Sequence, residues 1–412
     1  MITVAEALLT ILEGVSNFGT TLKKLEQLNH EILAEDIYSD RAYPPYDRVA
    51  MDGIAIKSSA WQAGISSYLC IGVEAAGVAP LSLGECSDHC IEVMTGAVLP
   101  DGADAVIPME ELDLTLYQES KKIKVSLPVR AFQNVHRKAS DLSSQTLLLA
   151  KGEVLNSVAV SVLASVGKAD VLVWRRPRIA IIATGSELVA VAESTPLPYQ
   201  IRVSNSYAIA AALKSIGMAY EDLKLFKLAD DPQKIFEELQ KIVAADFDFV
   251  ILSGGVSVGR FDFIPELLTK LGVDTLFRKV AQRPGKPMLY GKVARGEGDS
   301  ATHFLALPGN PAAAIICCYH YLLPAIKKGM QQKFSKQSIK KYLSCKGSIS
   351  NNKELTSFVP VREEGQDFVE VQPTNGSGDL FALAKSDGYI ILPAKSNYEA
   401  KQVVDFVPWG RP

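Results

Sequence analysis

Between residues 178 and 326 the chain repeats one unit: a short, nearly continuous apolar run, a turn of glycine, proline or polar residues, then a stretch with helical spacing. The apolar runs fall at 179–183, 223–228, 248–252 and 304–307. A run without alternation must be covered on both faces, and the helices between such runs supply that cover. The pattern predicts a parallel sheet flanked by helices over 176–326. Two of its turns stand out. Ser253-Gly254-Gly255-Val256-Ser257-Val258-Gly259 opens toward a helix from Asp262, and Pro308-Gly309-Asn310-Pro311 opens toward Ala312-Ala313-Ala314. A strand that ends on bare backbone amides at a helix start is how an α/β sheet makes an anion site. Function is expected there.

The flanks read differently. Thr3 and Glu6 make a capping box ahead of a helix that ends near Gly14. Pro44-Pro45-Tyr46-Asp47-Arg48 stiffens a charged loop before the Asp52-Gly53 turn and a strand at 54–56. From 61 to 107 short apolar runs alternate with Gly and Pro, the signature of a small barrel or curled sheet. Within it Thr95-Gly96 is expected to offer a hydroxyl and an exposed amide to an oxyanion. Small-residue helical spacing over 157–166 closes at Gly167. Strands are expected at 358–361, 368–371, 381–384, 389–392 and 403–407, forming a small antiparallel β domain.

Composition narrows the function. With 412 residues the chain is too long for one ordinary domain, and a net charge of only -3 gives no global attraction to nucleic acid or acidic membranes. The seven lysines between 327 and 346 have few interleaved aromatics and no arginine, and read as a solvated surface. The six cysteines are irregularly placed and read as reduced thiols, consistent with a cytoplasmic protein. Cys86-x3-Cys90 with His89 between them has no second pair to complete a metal corner, so these too read as structural thiols. Neither a basic leader followed by an apolar core nor an apolar stretch of about 18 residues occurs, so secretion and membrane insertion are not expected.

In the α/β region carboxylates fall at strand ends: Glu187, Asp230 or its neighbour Asp231, and Asp262. The run from Arg278 through Lys279 and Arg283 to Lys286 carries four cations around a Pro-Gly turn. Cations in that density suit an anionic ligand, and adjacent carboxylates suit a Mg²⁺ that bridges phosphates. The expectation is a phosphorylated or nucleotide-linked ligand handled with a metal. The first glycine loop lacks both the Lys-Ser/Thr ending of an NTPase loop and the GxGxxG spacing of a dinucleotide site. No Ser-His-Asp or Cys-His arrangement is evident.

These stretches, in order, resemble the molybdopterin molybdenumtransferase family, relatives of the C-terminal domain of gephyrin. The resemblance rests on 45–53 (Pro45 to Gly53), Met94-Thr95-Gly96-Ala97, Thr184-Gly185-Ser186-Glu187-Leu188, the two glycine loops and Pro284-Gly285-Lys286-Pro287. It covers nearly the whole chain. It implies a multidomain α+β and α/β protein: a discontinuous helical linking domain (1–28 and 141–175), an inserted β-rich domain (29–140), an α/β molybdopterin-binding domain (176–326) and a small C-terminal β-barrel-like domain (327–412). It further implies a homodimer that takes adenylylated molybdopterin and molybdate as substrates, with Mg²⁺, and releases AMP. A molybdopterin adenylyltransferase is the implied supplier of substrate. Carried over by motif, Asp52, Thr95, Glu187, Asp230, Asp262, Lys279 and Arg283 are the implied catalytic residues, with Glu187, Asp230 and Asp262 on the metal. Thr184, Gly185, Ser253, Gly254, Gly255, Ser257, Lys286, Pro308, Asn310 and Pro311 are the implied binding residues, and Lys279, Arg283 and Lys286 are expected to hold molybdate or phosphate. Ser186 stands where the family often has Asp, Arg283 where Lys is common, and 134–141 (Asn134 to Asp141) replaces the usual basic-then-Gly-Glu-Asp run, with Ala139-Ser140 losing a glycine and an acid. A hydrolase on the same α/β domain and a cofactor-binding scaffold without turnover are the competing readings.

Overall fold

The computed structural model describes residues 1–255, 263–295, 300–333, 338–344, 349–351, 353–376 and 378–410. Asp262 and Ser257, both expected at the site, lie outside the described residues. The chain forms two compact units, one of Met1–Glu35, Lys151–Ser157 and Asp170–Pro412, the other of Asp36–Ala150 and Val158–Ala169. The main span of the second unit starts and ends later in the chain than the 29–140 expected for the inserted domain.

In the first unit, helix α1 (Val4–Gly14) is closed by the predicted box: Thr3 accepts from the Glu6 amide, and Glu6 accepts from that of Thr3. Strand β1 (Thr20–Lys24) follows. In the second unit β2 (Gly53–Ile56), β3 (Ser67–Glu74), β4 (His89–Val93), β5 (Ala105–Pro108), β6 (Leu112–Asp113) and β7 (Lys122–Val125) form one sheet in the order β5-β2-β4-β3-β7-β6. Its alternation sends Ile54 and Ile56 into one core and Ala55 with Val106 into another. Helix α2 (Ser157–Ser165) lies where small-residue spacing predicts it.

The chain returns to the first unit at β8 (Asp170–Trp174), antiparallel to β1. Next come β9 (Ile179–Thr184), α3 (Asn205–Lys214), β10 (Leu223–Leu228), α4 (Pro232–Ala244), β11 (Phe249–Ser253), α5 (Ile264–Lys270), β12 (Asp274–Lys279), β13 (Pro287–Ala294), β14 (Ala301–Leu307) and α6 (Pro311–Cys317). The sheet order is β10-β9-β11-β14-β13-β12. The first four strands are parallel, as the apolar runs predict, but β13 and β12 pair antiparallel, so the sheet is mixed. Both faces are covered: Ile179, Ile181, Phe249 and Ile251 face one core, while Ala180, Ile182, Val250 and Leu252 face the other. Ala7 and Ile11 of α1 sit fully buried in the first of these cores, so the opening helix packs with the α/β sheet. Burial of a side chain the size of Ile11 contributes about 1.5–3 kcal/mol, and the Ala7 methyl about 0.8 kcal/mol.

At the end of the chain β15 (Ile339–Leu343), β16 (Thr356–Glu364), β17 (Phe368–Val371), β18 (Gly388–Leu392) and β19 (Val403–Pro408) pair in a closed ring around Val361, Val369, Ile390 and Phe406. A barrel of this kind leaves no open edge among its members. Residues 381–384, expected as strand, belong instead to helix α7 (Leu380–Ala384). Asp379 accepts from the Ala382 amide at 3.0 Å, and Leu-Phe-Ala-Leu-Ala favours helix once that cap is in place. Among the described residues no helix is long and apolar enough to cross a membrane.

Candidate active site

The carboxyl ends of β9, β10, β11 and β14 surround a cleft of about 440 Å³ in the first unit. That edge is where a parallel α/β sheet leaves a crevice, because the loops after its strands diverge toward opposite faces. Thr184, Gly185, Glu187, Asp230, Ser253, Gly254, Gly255, Pro308, Asn310 and Pro311 all line it. So do Arg202, Ser204 and Asn205.

Three polar ties hold the loops around this space. The Ser186 amide donates to Asp230 Oδ2 at 2.9 Å and the Asp230 amide donates to Ser186 Oγ at 3.2 Å. Ser186 therefore locks the loop after β9 to the loop after β10 with its hydroxyl. The Gly254 amide donates to Leu307 O at 3.2 Å. Asn205, which is 9% exposed, donates from Nδ2 to both Ser253 Oγ and Gly309 O, each at 2.8 Å. One buried amide thus joins both glycine loops. In the sequence Ser204-Asn205 marks only a helix start, yet the Ser204 side chain makes no cap bond. An Asn at the first residue of a helix whose later turns are mostly apolar is the signal the sequence offers.

Backbone shape explains the glycines. Gly254 sits at φ +106, and a Cβ there would lie 2.5 Å from Thr184 O. The loop can reach this close only without a side chain. Thr184 Oγ1 is buried with no hydrogen-bond partner among the described residues. A buried hydroxyl costs about 1–3 kcal/mol when unpaired, so it suits a ligand group. The first turns of α3 and α6 also border the cleft and turn the positive end of each helix dipole toward it. Glu187 and Asp230 set two carboxylates against these anion-favouring groups. Asp231, the neighbour that the sequence left open, caps α4 by accepting from the Gln233 and Lys234 amides at 3.1 and 3.3 Å.

The basic run does not line this cleft. Lys279 and Lys286 are exposed, and only Pro287 next to Lys286 borders the space. Arg283 instead lines a second recess of about 200 Å³, with Lys353, Ser357 and Thr374 from the C-terminal domain and Ala312 and Ile316 of α6. Sequence separation hid this grouping, since Lys353, Ser357 and Thr374 reach it only through the barrel.

In the second unit the Thr95 amide and hydroxyl both donate to Asp52 Oδ1, at 2.7 and 2.6 Å. The hydroxyl bond and then the amide bond hold the Asp52 carboxyl below the ordinary aspartate value. The Gly96 amide donates to Val49 O at 2.9 Å. The expectation that Thr95 and Gly96 offer free donors to an oxyanion is therefore corrected: both amides and the hydroxyl already have acceptors, and the feature presented is the Asp52 carboxylate. Nearby, Arg48 Nη2 lies 3.0 Å from His136 Nδ1, and His136 Nε2 lies 2.8 Å from Asp141 Oδ1.

Comparison with known proteins covers the chain from end to end. Residues 2–167 match the family described as MoeA N-terminal region (domain I and II), 180–328 the probable molybdopterin binding domain, and 343–409 the MoeA C-terminal region (domain IV). A molybdopterin molybdenumtransferase of Synechocystis sp. is 36% identical over 416 residues, 99% of this chain and 100% of that protein. One of Haemophilus influenzae is 31% identical over 397 residues, 95% of this chain and 94% of its own. Two crystal structures of the molybdopterin biosynthesis MoeA protein of Pyrococcus horikoshii, both 25% identical and covering 99% of this chain, superpose with TM-scores of 0.82 and 0.77.

Proposed function

Because the chain belongs to the molybdopterin molybdenumtransferase family and acts in molybdenum cofactor biosynthesis, we propose that it inserts molybdate into adenylylated molybdopterin and releases AMP. The observation that carries this reading is the strand-end cleft. There the Thr184 hydroxyl, the backbone of two glycine loops and the carboxylates of Glu187 and Asp230 face one volume of about 440 Å³, a size that takes a nucleotide-like ligand.

Glu187 and Asp230 offer the hard oxygen donors that Mg²⁺ takes, so the residues fit that ion. They would hold it, with Asp262 as the third member of the proposed set. Bound there, Mg²⁺ supplies neutralisation of phosphate charge. The protein's own contribution is orientation. The Gly255 backbone and the first turn of α3 are assigned to the phosphate, while the Gly254–Leu307 bond and Asn205 keep the two loops at a fixed separation. Arg283 and Lys353 give the second recess its positive charge, with the Ser357 and Thr374 hydroxyls as donors, and this is where we assign molybdate. Lys279 and Lys286 extend the positive potential along the surface that leads to Arg283. Asp52 and Thr95 remain assigned to catalysis as a carboxylate and the residue that orients it.

The proposal includes a homodimer, a cytoplasmic setting and an adenylyltransferase as source of the adenylylated substrate. Sedimentation equilibrium that returns a monomer would remove the first. The decisive assay gives the purified protein adenylylated molybdopterin and Mg²⁺, with or without molybdate. Molybdate-dependent release of one AMP per cofactor formed is expected. Release independent of molybdate would identify a hydrolase. Tight retention of the pterin with no AMP at all would identify a scaffold.

A further inference from the structure

The loop that leads into β4 carries a group of side chains the proposed reaction does not use. Cys86 Sγ, a carboxylate oxygen of Asp88 and a ring nitrogen of His89 all lie within 4.8 Å of one another. Cys90, the partner suggested by sequence spacing, is not among them. It is buried in the sheet opposite Cys70, its register partner on β3.

The backbone of this loop is held in place. The Leu83 amide donates to Asp101 O at 3.0 Å and the Leu69 amide donates to Asp88 O at 2.7 Å. Lys57 Nζ donates to Gly84 O at 2.8 Å. His89 Nδ1 lies 3.3 Å from Leu83 O. A carbonyl oxygen only accepts, so that contact puts the proton on Nδ1 and leaves Nε2 as a basic lone pair. A backbone carbonyl that sets the tautomer in this way is the usual outer partner of a metal-bound histidine. Cys86 and Asp88 are exposed, which gives an ion a direct approach from solvent.

The donor set selects the ion. Thiolate, imidazole and carboxylate together are poor ligands for Mg²⁺ or Ca²⁺, which take oxygen, and good ligands for Zn²⁺, which binds all three at about 2.0–2.3 Å. Tetrahedral bonding at those lengths separates ligand atoms by about 3.5 Å. The exposed side chains of Cys86 and Asp88 are the ones that would turn to close the group to that spacing. Two anionic donors balance a dication, and three protein ligands leave a fourth position for water. We propose that Cys86, Asp88 and His89 form a binding site for Zn²⁺ or a like borderline divalent cation, fastening the loop to the start of β4.

The test uses Co²⁺ as a spectroscopic stand-in for Zn²⁺. The full chain, reduced and stripped with a chelator, is titrated with Co²⁺ in excess Mg²⁺. One equivalent should produce a thiolate-to-cobalt absorption in the near ultraviolet and tetrahedral bands in the visible, displaced by Zn²⁺. Cys86→Ser should remove the ultraviolet band, and Asp88→Asn and His89→Gln should each weaken Co²⁺ binding about tenfold or more. Zn²⁺ should raise the thermal midpoint of the wild-type chain and leave that of Cys86→Ser unmoved, while the two have equal midpoints without metal. Absence of the sulfur band in the wild-type chain, its survival in Cys86→Ser, or wild-type Co²⁺ affinity in Asp88→Asn or His89→Gln would overturn the proposal.

Discussion

Asn205 is the residue whose replacement tests the cleft's construction most sharply. Its Nδ2 donates to Ser253 Oγ and Gly309 O, in surroundings where Asn205 is 9% and Ser253 3% exposed. Gly309 O can only accept, so the amide nitrogen, and not its oxygen, has to face it. Asn205→Ala removes both bonds and leaves an acceptor and a hydroxyl without their partner. Gly309 is exposed and its carbonyl can turn to water, so the loss of folding stability is set by the buried Ser253 hydroxyl and should be about 1–3 kcal/mol. Asn205→Asp keeps nearly the same shape yet turns a carboxylate oxygen toward a carbonyl oxygen. It must either bury a charge beside a like dipole or take up a proton, so it should cost more than the alanine, above about 3 kcal/mol. Urea unfolding of the two variants, with molybdopterin affinity measured in parallel, checks the order. Both should bind the pterin more weakly because the glycine loops lose their common anchor. An Asn205→Asp protein as stable as wild type, or more stable than Asn205→Ala, would refute the reasoning.

Three further outcomes are expected. Gly254→Ala, whose Cβ would lie 2.5 Å from Thr184 O at φ +106, should lose pterin binding, whereas Gly19→Ala, with nothing within 4 Å at φ +85, should cost only about 1–2 kcal/mol of stability. Burial holds the His303 and His320 imidazoles down to about 4, while the unfolded chain takes up those protons near pH 6.5. The unfolded state therefore binds more protons between pH 6.5 and 4, and stability should fall by about 3 kcal/mol per imidazole as pH drops through that window. A denaturation midpoint that stays flat from pH 7 to 4 would contradict this. Burial pushes the Asp248 carboxyl up, but bonds from Arg175, the Arg178 amide and Arg295 outweigh it and hold the group below the ordinary aspartate value. That contribution is present above the unfolded value near pH 4 and is lost as pH falls through the lower folded value. Asp248→Ala should cost about 3–5 kcal/mol at pH 7 by stranding two arginines, and progressively less as pH falls below about 4.

Local chemistry made much of the fold legible. The Thr3 and Glu6 box, the Pro232 start of α4 and the apolar runs at β9, β11 and β14 all depend on neighbours a few residues away. The misread elements are those where a distant or one-atom effect decides. A run like 381–384 alternates well enough for a strand, and only the Asp379 cap tips it to helix. Thr95-Gly96 looks like an open donor pair until the fold brings Asp52, 43 positions earlier, onto the Thr95 hydroxyl and Val49 O onto the Gly96 amide. Antiparallel pairing of β12 and β13 is invisible in composition, because edge order depends on pairing and not on the runs themselves. The candidate site divides the same way. Strand-end residues could be picked from their position after apolar runs. The separate recess of Arg283 could not, since Lys353, Ser357 and Thr374 come to it from a different domain.

The central claim is a division of labour: pterin phosphate in the strand-end cleft, molybdate in the recess of Arg283. Equilibrium binding of each substrate alone to Thr184→Val and to Arg283→Ala tests it most directly. Thr184→Val should weaken molybdopterin and leave molybdate unchanged, and Arg283→Ala should weaken molybdate and leave molybdopterin unchanged. Loss of both substrates in one variant, or the reverse pairing, would contradict the account.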